Sequence, residues 1–505
     1  MAGEAVRRIV IAGGGAAGWM SAAVLAKVLQ HQGCTIQLVE SDDIGIIGVG
    51  EATIAGIHWL NNVLGIEEDA FVRASQATFK LGIDFRDWTG AGSRYYHPFG
   101  RYGAPLRGVG FQHLWVKARR RGLVTSFEDY CMTSVAARMR RFDRPDRAPP
   151  GSPLKTLSYA YHLDAGRYAR YLRSLAEAMG VRRIEGIIER ADQDPETGHI
   201  VALHTHRGDV VEGDLFLDCT GFRALLIQGV LNTGTIDLSD LLPCDRAWAV
   251  PCAATAEIDP STRCTARPAG WQWRIPLQHR TGNGHVFCSA FMSEDEARDV
   301  LMRNLDGAPL AEPRMITFRT GRARQIWNKN VIAVGLSAGF LEPLEATTIH
   351  VILNSLNKII GHFPRRTPDP CTVAEFNRQL DLQFDTIKDF LVLHYRLSGA
   401  REEPLWRYCR ALALPERLER MMESFRTTAR IAPGEFDQFK EASWFSVMLG
   451  QGIVPDDHDP LADGIDDDAL TRHLASIRTG IRQVAERMPT HEAYIRAHCA
   501  APVPA

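Results

Sequence analysis

A few residues stand where their chemistry could be put to use. Lys80 lies in Phe79-Lys80-Leu81-Gly82, with Ile83 just beyond. Apolar neighbours desolvate an amine, lower its pKa and make it nucleophilic. The same pattern also fits a lysine that snorkels from a strand edge. Glu345 lies in Glu342-Pro343-Leu344-Glu345-Ala346-Thr347-Thr348-Ile349, at the expected start of a helix. Backbone N–H groups at such a start suit a small anion; equally, a carboxylate there can be one the helix dipole stabilises. Trp271-Gln272-Trp273-Arg274-Ile275-Pro276 sets two indoles on one side of a strand, which suits a functional wall or plain core packing. His97-Pro98-Phe99 offers an imidazole and a ring for flat stacking, or an ordinary turn with a buried phenylalanine.

The segment Gly13-Gly14-Gly15-Ala16-Ala17-Gly18 fits G-x-G-x-x-G. It follows a short β-branched run, Arg8 to Ala12, and opens a helical pattern, Ala16 to Leu29. Thr35 to Glu40 is a second strand, so the whole reads as a β-α-β unit. The first glycine permits a tight turn, the second lets backbone approach a pyrophosphate, and the third lets helix pack on strand. The helix N-terminus then offers N–H groups to phosphates, and Glu40 can accept hydrogen bonds from a ribose. Two later strands end in glycine turns, Gly213 to Gly221 and Asn330 to Gly335. By analogy of fold, returning strands of this kind favour FAD over NAD.

These residues need a large scaffold, and the chain has 505 of them. That length predicts two or more domains, or one large domain with a cap. The composition is 45% hydrophobic and 23% charged, as in globular proteins generally. A formal charge of −2 gives no reason to expect nucleic acid or an anionic membrane as partner. The local clusters Arg119 to Arg121 and Arg138 to Arg141 read as solvated helix faces. Ten cysteines show no C-x-x-C spacing, so they read as reduced thiols of a cytoplasmic protein, without a metal site. No apolar run is long enough to span a membrane.

Along the chain, Ile44 to Gly50 reads as an extended strap. Ala70 to Phe85 mixes helix and strand signals, and Gly90 to Gly110 reads as loop. Gly166 to Met179 and Ile349 to Phe363 read as helices. Val201 to His206, Leu215 to Asp218 and Val331 to Gly335 read as strands, and Ala249 to Arg274 and Gly284 to Met292 as β-rich. From about Pro368 helical patterns dominate, around a polar acidic loop at Asp456 to Asp468. The expected organisation is a core over 1–365, with a β-rich insertion at about 90–330, and a mainly helical cap over 366–505.

Taken together, W-x-W-x-I-P at Trp271 to Pro276, Gly50-Glu51-Ala52-Thr53, Lys80, Glu345 and the glycine motif resemble the flavin-dependent tryptophan halogenases. The resemblance runs from the N-terminus to about Pro455, and W-x-W-x-I-P is its most specific motif. It implies an α/β fold: a Rossmann-like FAD-binding domain of the glutathione-reductase or aromatic-monooxygenase type, a β-rich substrate region and a helical C-terminal cap. It further implies FADH2 supplied by a separate flavin reductase, oxygen, and chloride or bromide. A C4a-hydroperoxyflavin would turn halide into hypohalous acid, which travels through a tunnel to Lys80. Lys80 would hold the electrophile by hydrogen bond or as a haloamine, and Glu345 would orient it or take the ring proton. Trp271 and Trp273 would keep the organic substrate from the flavin, and His97 and Phe99 would sandwich an indole. Gly13, Gly15, Ala16, Ala17, Gly18, Glu40, Gly50, Glu51, Ala52, Leu336 and Ile349 would hold FAD, and Thr347 and Thr348 the halide.

The chain departs from the family twice. Glu345-Ala346-Thr347-Thr348 replaces Glu-Ser-Thr-Gly, which keeps the backbone N–H groups, alters the anion cavity and removes a serine hydroxyl. In the cap, tryptophan-specific members hold the amino acid with two tyrosines ahead of Glu-x-x-x-Phe and then a stacking tryptophan. Here Glu435 and Phe439 supply the second element, but Thr428-Ala429 stand in place of the tyrosines, and Trp444 follows further on. Losing those partners weakens selection for free tryptophan, so indole or a substituted indole is the expected substrate. Two rival readings remain: an NAD(P)H-dependent aromatic monooxygenase and a non-catalytic flavin-binding protein. Gly335-Leu336-Ser337, in place of the Gly-Asp usual in hydroxylases, disfavours the first. Lys80, Glu345 and both tryptophans, none of them needed to bind flavin, disfavour the second. The expected partners are a small aromatic substrate and the reductase, for a monomer or homodimer.

Overall fold

The computed structural model describes residues 5–44, 50–124, 126–365 and 368–502. Most of the expected strap, residues 45–49, lies outside them. The chain forms two compact units: Met1–Ala77, Leu163–Asp245 and Thr317–Phe384, and then Thr78–His162, Arg246–Ile316 and Asp385–Ala505.

The first unit is built on the expected β-α-β start. The strand Arg8–Ala12 buries four of its five residues, and the helix Ala16–Leu29 leads into Thr35–Glu40. That helix is apolar nearly all round because it is covered on several sides. Parallel strands follow in the order Val331–Ala333, Leu215–Asp218, Arg8–Ala12, Thr35–Glu40 and Arg182–Glu185. Trp327–Asn328 adds an antiparallel edge. A sheet buried on both faces needs near-continuous apolar runs, and Ile9, Val10, Ile11, Leu215, Phe216 and Leu217 are fully buried.

The helix Pro370–Arg396 is shared between the units, its residues through Phe384 counting with the first. Its buried Asn377 completes the edge strand. Asn377 Oδ1 accepts from the Ile326 and Trp327 N–H groups at 2.9 Å, and its Nδ2 donates to the Trp327 carbonyl at 2.9 Å.

In the second unit six consecutive strands of a larger sheet run in the order Arg246–Ala253, Arg280–Phe287, Gly270–Pro276, Ser261–Arg267, Gly82–Arg86 and Arg94–Pro98. Arg94–Pro98 lies inside the stretch expected to be loop. Flanking glycines suggested a loop there, yet the strand buries Tyr95 to Pro98 against its neighbour. A short strand, Thr78–Lys80, pairs antiparallel with the strand Ala160–Leu163. The C-terminal third is helical: Pro404–Ala411, Glu416–Thr428, Glu441–Gly450, Asp467–Arg487 and His491–His498. The acidic loop contains one 3-10 turn, Pro460–Gly464, and Asp466 caps the next helix by accepting from the Ala469 N–H.

Among the described residues no helix is long and apolar enough to cross a membrane, and no group of three or more His, Cys, Asp or Glu side chains is placed to hold a metal ion.

Asn377→Ala would strip three buried backbone groups of their partner. The expected loss of stability is about 1–3 kcal/mol, read as a lower melting temperature; an unchanged melt would show that water replaces the amide.

Candidate active site

The glycine turn is shaped by contacts that only glycine allows. Gly13 has φ +100°, and a Cβ there would strike the Cys219 carbonyl; one on Gly18 would strike the Gly13 carbonyl. Around Gly15 nothing lies within 4 Å of where a Cβ would stand. Gly15 caps the following helix without a side-chain hydrogen bond, and the helix has no acid in its first turn. A diphosphate therefore finds open space and a positive helix end, which is the fit an FAD pyrophosphate needs.

Glu40 lies beside Gly14, accepts from Arg183 Nε at 2.7 Å, and is 3.8 Å from Arg173. Its carboxylate is thus anchored at the strand end rather than left to the ribose alone. Asp218, which the sequence reading did not single out, fastens the returning turn. It accepts from Thr220 N at 3.0 Å, Thr220 Oγ1 at 2.7 Å, Leu226 N at 2.8 Å and Ile227 N at 2.9 Å. Burial pushes its pKa up, against those donors. Its signal was an acid ending a buried strand just before Cys-Thr-Gly.

Gly335 has φ +73° and sits against Ala17, so the Gly335-Leu336-Ser337 turn touches the start of the nucleotide helix. Gly335, Gly339, Phe340, Leu341, Thr347, Thr348, Val351 and Phe384 line one cleft of the first unit. The two threonines expected at the halide therefore do share a cavity wall. Ile349, one residue on, is buried. Glu345 is 2% exposed and adopts φ +70°, followed by Ala346 at φ +57°. Two consecutive non-glycine residues in left-handed conformations are strained by about 1–3 kcal/mol each, and such strain gathers at functional sites. The strain turns Glu345 away from a simple helix-start position; the helix itself, Thr348–Gly361, begins three residues later.

Gly50 has φ +88° and leads into Glu51–Ala52, a two-residue strand in which Ala52 is buried. Burial pushes the Glu51 carboxyl up to about 7.

Lys80 belongs to the second unit and has no exposed surface. Its Nζ lies 5.1 Å from the centre of the Phe99 ring, within the range of a cation–π contact. The backbone around it is tied at both sides: Leu81 N–H donates to the Pro260 carbonyl at 2.7 Å, and Phe99 N–H to the Leu81 carbonyl at 3.1 Å. His162 faces Thr78 across the strand pair. Its Nδ1 is 3.1 Å from Thr78 Oγ1 and its Nε2 2.9 Å from Thr262 Oγ1. Burial first, then the Lys80 charge, hold its pKa well below the usual histidine value, so it stays neutral.

Trp271 and Trp273 are both buried, with ring centres 6.1 Å apart. Gly284, opposite Trp273 in the next strand, leaves room for that indole: a Cβ there would fall in the ring. His97, 3% exposed, meets two cap rings, Phe390 at 5.6 Å and Phe439 at 6.1 Å. Phe390 and Phe439 stack at 3.8 Å with planes 19° apart. Trp444 stands behind them, edge-on to Phe390 at 4.9 Å, and its Nε1–H donates to the Phe439 carbonyl at 3.1 Å. Trp444 therefore supports the wall and is itself 1% exposed. Glu435 is exposed and is not brought to this cluster. Residues 429–440 form no helix, so the four-residue spacing to Phe439 does not put the two side chains on one face. Phe390 was not singled out from the sequence, where it is one apolar position in a long helical pattern.

The tryptophan halogenase family profile matches residues 8–467. The chain belongs to the tryptophan halogenase family. These are flavin-dependent enzymes that use FADH2, oxygen and halide on aromatic substrates, with a separate flavin reductase. This halogenase is 32% identical to the tryptophan 7-halogenase RebH of Lentzea aerocolonigenes over 97% of this chain and 98% of RebH. Among solved structures it is similar to Xcc4156, a flavin-dependent halogenase from Xanthomonas campestris, with TM-score 0.95 and 45% identity over 99% of this chain and 100% of that one. It is likewise similar to BrvH, a flavin-dependent halogenase from Brevundimonas sp. BAL3, with TM-score 0.94 and 42% identity over 98% and 99%.

Glu51 gives this halogenase a testable pH dependence. Its folded pKa lies above the ordinary 4.5, so as pH rises the unfolded chain releases this proton first. Stability of the flavin-free protein then falls between about pH 4.5 and 7 and levels off above. Glu51→Gln should remove that part of the slope in melting temperature; equal slopes would mean that Glu51 ionises without penalty.

Proposed function

We propose that this halogenase acts on indole or a substituted indole in preference to free tryptophan, and uses bromide at least as readily as chloride. The observation that carries the substrate claim is the wall beside His97. It is made of stacked Phe390 and Phe439, with the Trp444 N–H spent on the Phe439 carbonyl. Where the tyrosine pair is expected, Thr428 Oγ1 donates to Ser424 of its own helix, and Ala429 is buried at a left-handed helix end. Neither residue offers the hydroxyls of a tyrosine pair to an amino acid's ammonium and carboxylate, and leaving such groups desolvated and unanswered costs on the order of several kcal/mol. Indole carries no such groups. For the halide, Thr348 in place of glycine makes a less tailored anion site, which suits the less strongly hydrated and more easily oxidised bromide.

In this reading Gly13, Gly15 and Gly18, with Glu40, Leu336 and Ile349, hold FAD, which when bound and reduced supplies electrophilic halogen from oxygen and halide. Thr347 and Thr348 present the halide. Lys80 Nζ holds the electrophile by hydrogen bond or as a haloamine. His97 and Phe99 hold the ring flat, and Trp271 and Trp273 keep it apart from the flavin. As the carbon–halogen bond forms, the O–halogen or N–halogen bond breaks, its electron pair leaving with the oxygen as water or returning to the Lys80 amine, and the Glu345 carboxylate takes the ring C–H proton.

Competition between indole and tryptophan, with FAD, a flavin reductase and equimolar bromide and chloride, tests this by mass spectrometry. Brominated indole should dominate. A higher kcat/KM for tryptophan would refute the substrate claim, and mainly chlorinated product the halide claim. Glu345→Gln should lower kcat about 10²–10⁴-fold while flavin binding persists; a near wild-type rate would remove Glu345 from the proton step.

A further inference from the structure

The wall beside His97 is carried by a segment that does little to hold itself. Residues 429–440 join the helix Glu416–Thr428 to the helix Glu441–Gly450 and contain no helix or strand. Its Phe439 is nevertheless 5% exposed and flat on Phe390. Among the contacts that place it are the ring stack, the His97 ring, the Trp444 hydrogen bond, and an ion pair between Asp437 and Arg417.

Arg417 bridges two carboxylates. Its Nη1 donates to Asp389 Oδ2 at 3.0 Å, and its Nη2 to Asp437 Oδ2. Asp389 immediately precedes Phe390, and Asp437 lies two residues before Phe439. Both carboxylates are nearly fully buried, while the arginine keeps about a third of its side chain exposed. Lys388 Nζ, 3.6 Å from Asp389, supplies the second positive charge, and the guanidinium lies 6.0 Å from the Trp444 ring. Each arm of the arginine thus grips the backbone neighbourhood of one member of the phenylalanine stack. Buried ion pairs seldom stabilise more than apolar packing of the same volume would; what they can supply is one fixed arrangement. The planar guanidinium fork suits that task, because it meets two acceptors at set angles.

We infer that Arg417 is a specificity-determining positioning residue: by bridging Asp389 and Asp437 it keeps Phe439 flat on Phe390 and so sets the aromatic wall that receives a flat, uncharged ring. The inference rests on the indole-type reading above. Arg417 touches no reacting atom. Loosening it lets the 429–440 segment and Phe439 move, which weakens binding of the ring and leaves the halogen-transfer step in place.

The test uses the full-length enzyme with FAD, reductase and bromide, comparing wild type with Arg417→Gln, Asp437→Asn and Arg417→Lys. Arg417→Gln and Asp437→Asn break the same bridge from its two ends. Each should raise KM for indole about tenfold, with kcat changed much less, and should narrow the kcat/KM preference for indole over tryptophan. Arg417→Lys, with charge but no fork, should recover part of the KM. If the first two variants do not fold, Phe439→Leu, which leaves the charges paired, should show the same KM shift. Folded variants with unchanged KM, or a loss in kcat alone, would overturn the inference. KM is read on whichever ring the wild type halogenates, so that turnover of tryptophan but not indole counts against the substrate reading, while the KM shift still decides the role of Arg417.

Discussion

A lysine side chain with no exposed surface is the constraint around which the second unit is arranged. Burying an ammonium is costly unless its surroundings answer the charge or hold the amine neutral. The strand Thr78–Lys80 is too short to fix that side chain alone. It is fixed by its register with Ala160 to His162 and by the Leu81 hydrogen bond to Pro260. The Phe99 ring supplies a negative face to the ammonium. His162, locked between two threonine hydroxyls, adds no second positive charge. This burial and ring contact set Lys80 apart from a surface cation, and they underlie the carrier role proposed for it.

The first unit combines tight backbone contacts at Gly13 and Gly18 with open space at Gly15, an arrangement that would admit a diphosphate without closing over it. Asp218 ties down the returning strand from behind by gathering four donors. Glu345 and Ala346 both adopt left-handed backbone just ahead of the helix Thr348–Gly361, with the Glu345 side chain buried.

Much of this was legible because local periodicity and local contacts coincide. The β-α-β start was read to its true boundaries, since a period of two gives way to a period of 3.6 around a glycine turn. Trp271 and Trp273 share a strand face, as their spacing requires. The strand Arg94–Pro98 was hidden by flanking glycines, although its neighbour in the sheet determines its state. Glu435 and Phe439 matched a pattern whose meaning depends on helical spacing, and residues 429–440 are not helical. Phe390, Asp389 and Arg417 lie in long helical patterns, where any apolar or charged position looks alike until the helices pair. The aromatic cluster beside His97 is a tertiary feature: His97, Phe439 and Trp444 stood out in the sequence, and only the packing adds Phe390 to them.

We propose that Lys80 carries the halogen from where it is made to the ring. Measuring two products in one reaction tests this: hypohalous acid, caught by a small diffusible trap, and halogenated indole. Lys80→Ala should leave trapped hypohalous acid near the wild-type level and abolish halogenated indole. Halogenated indole formed at a near wild-type rate by the variant would contradict the account.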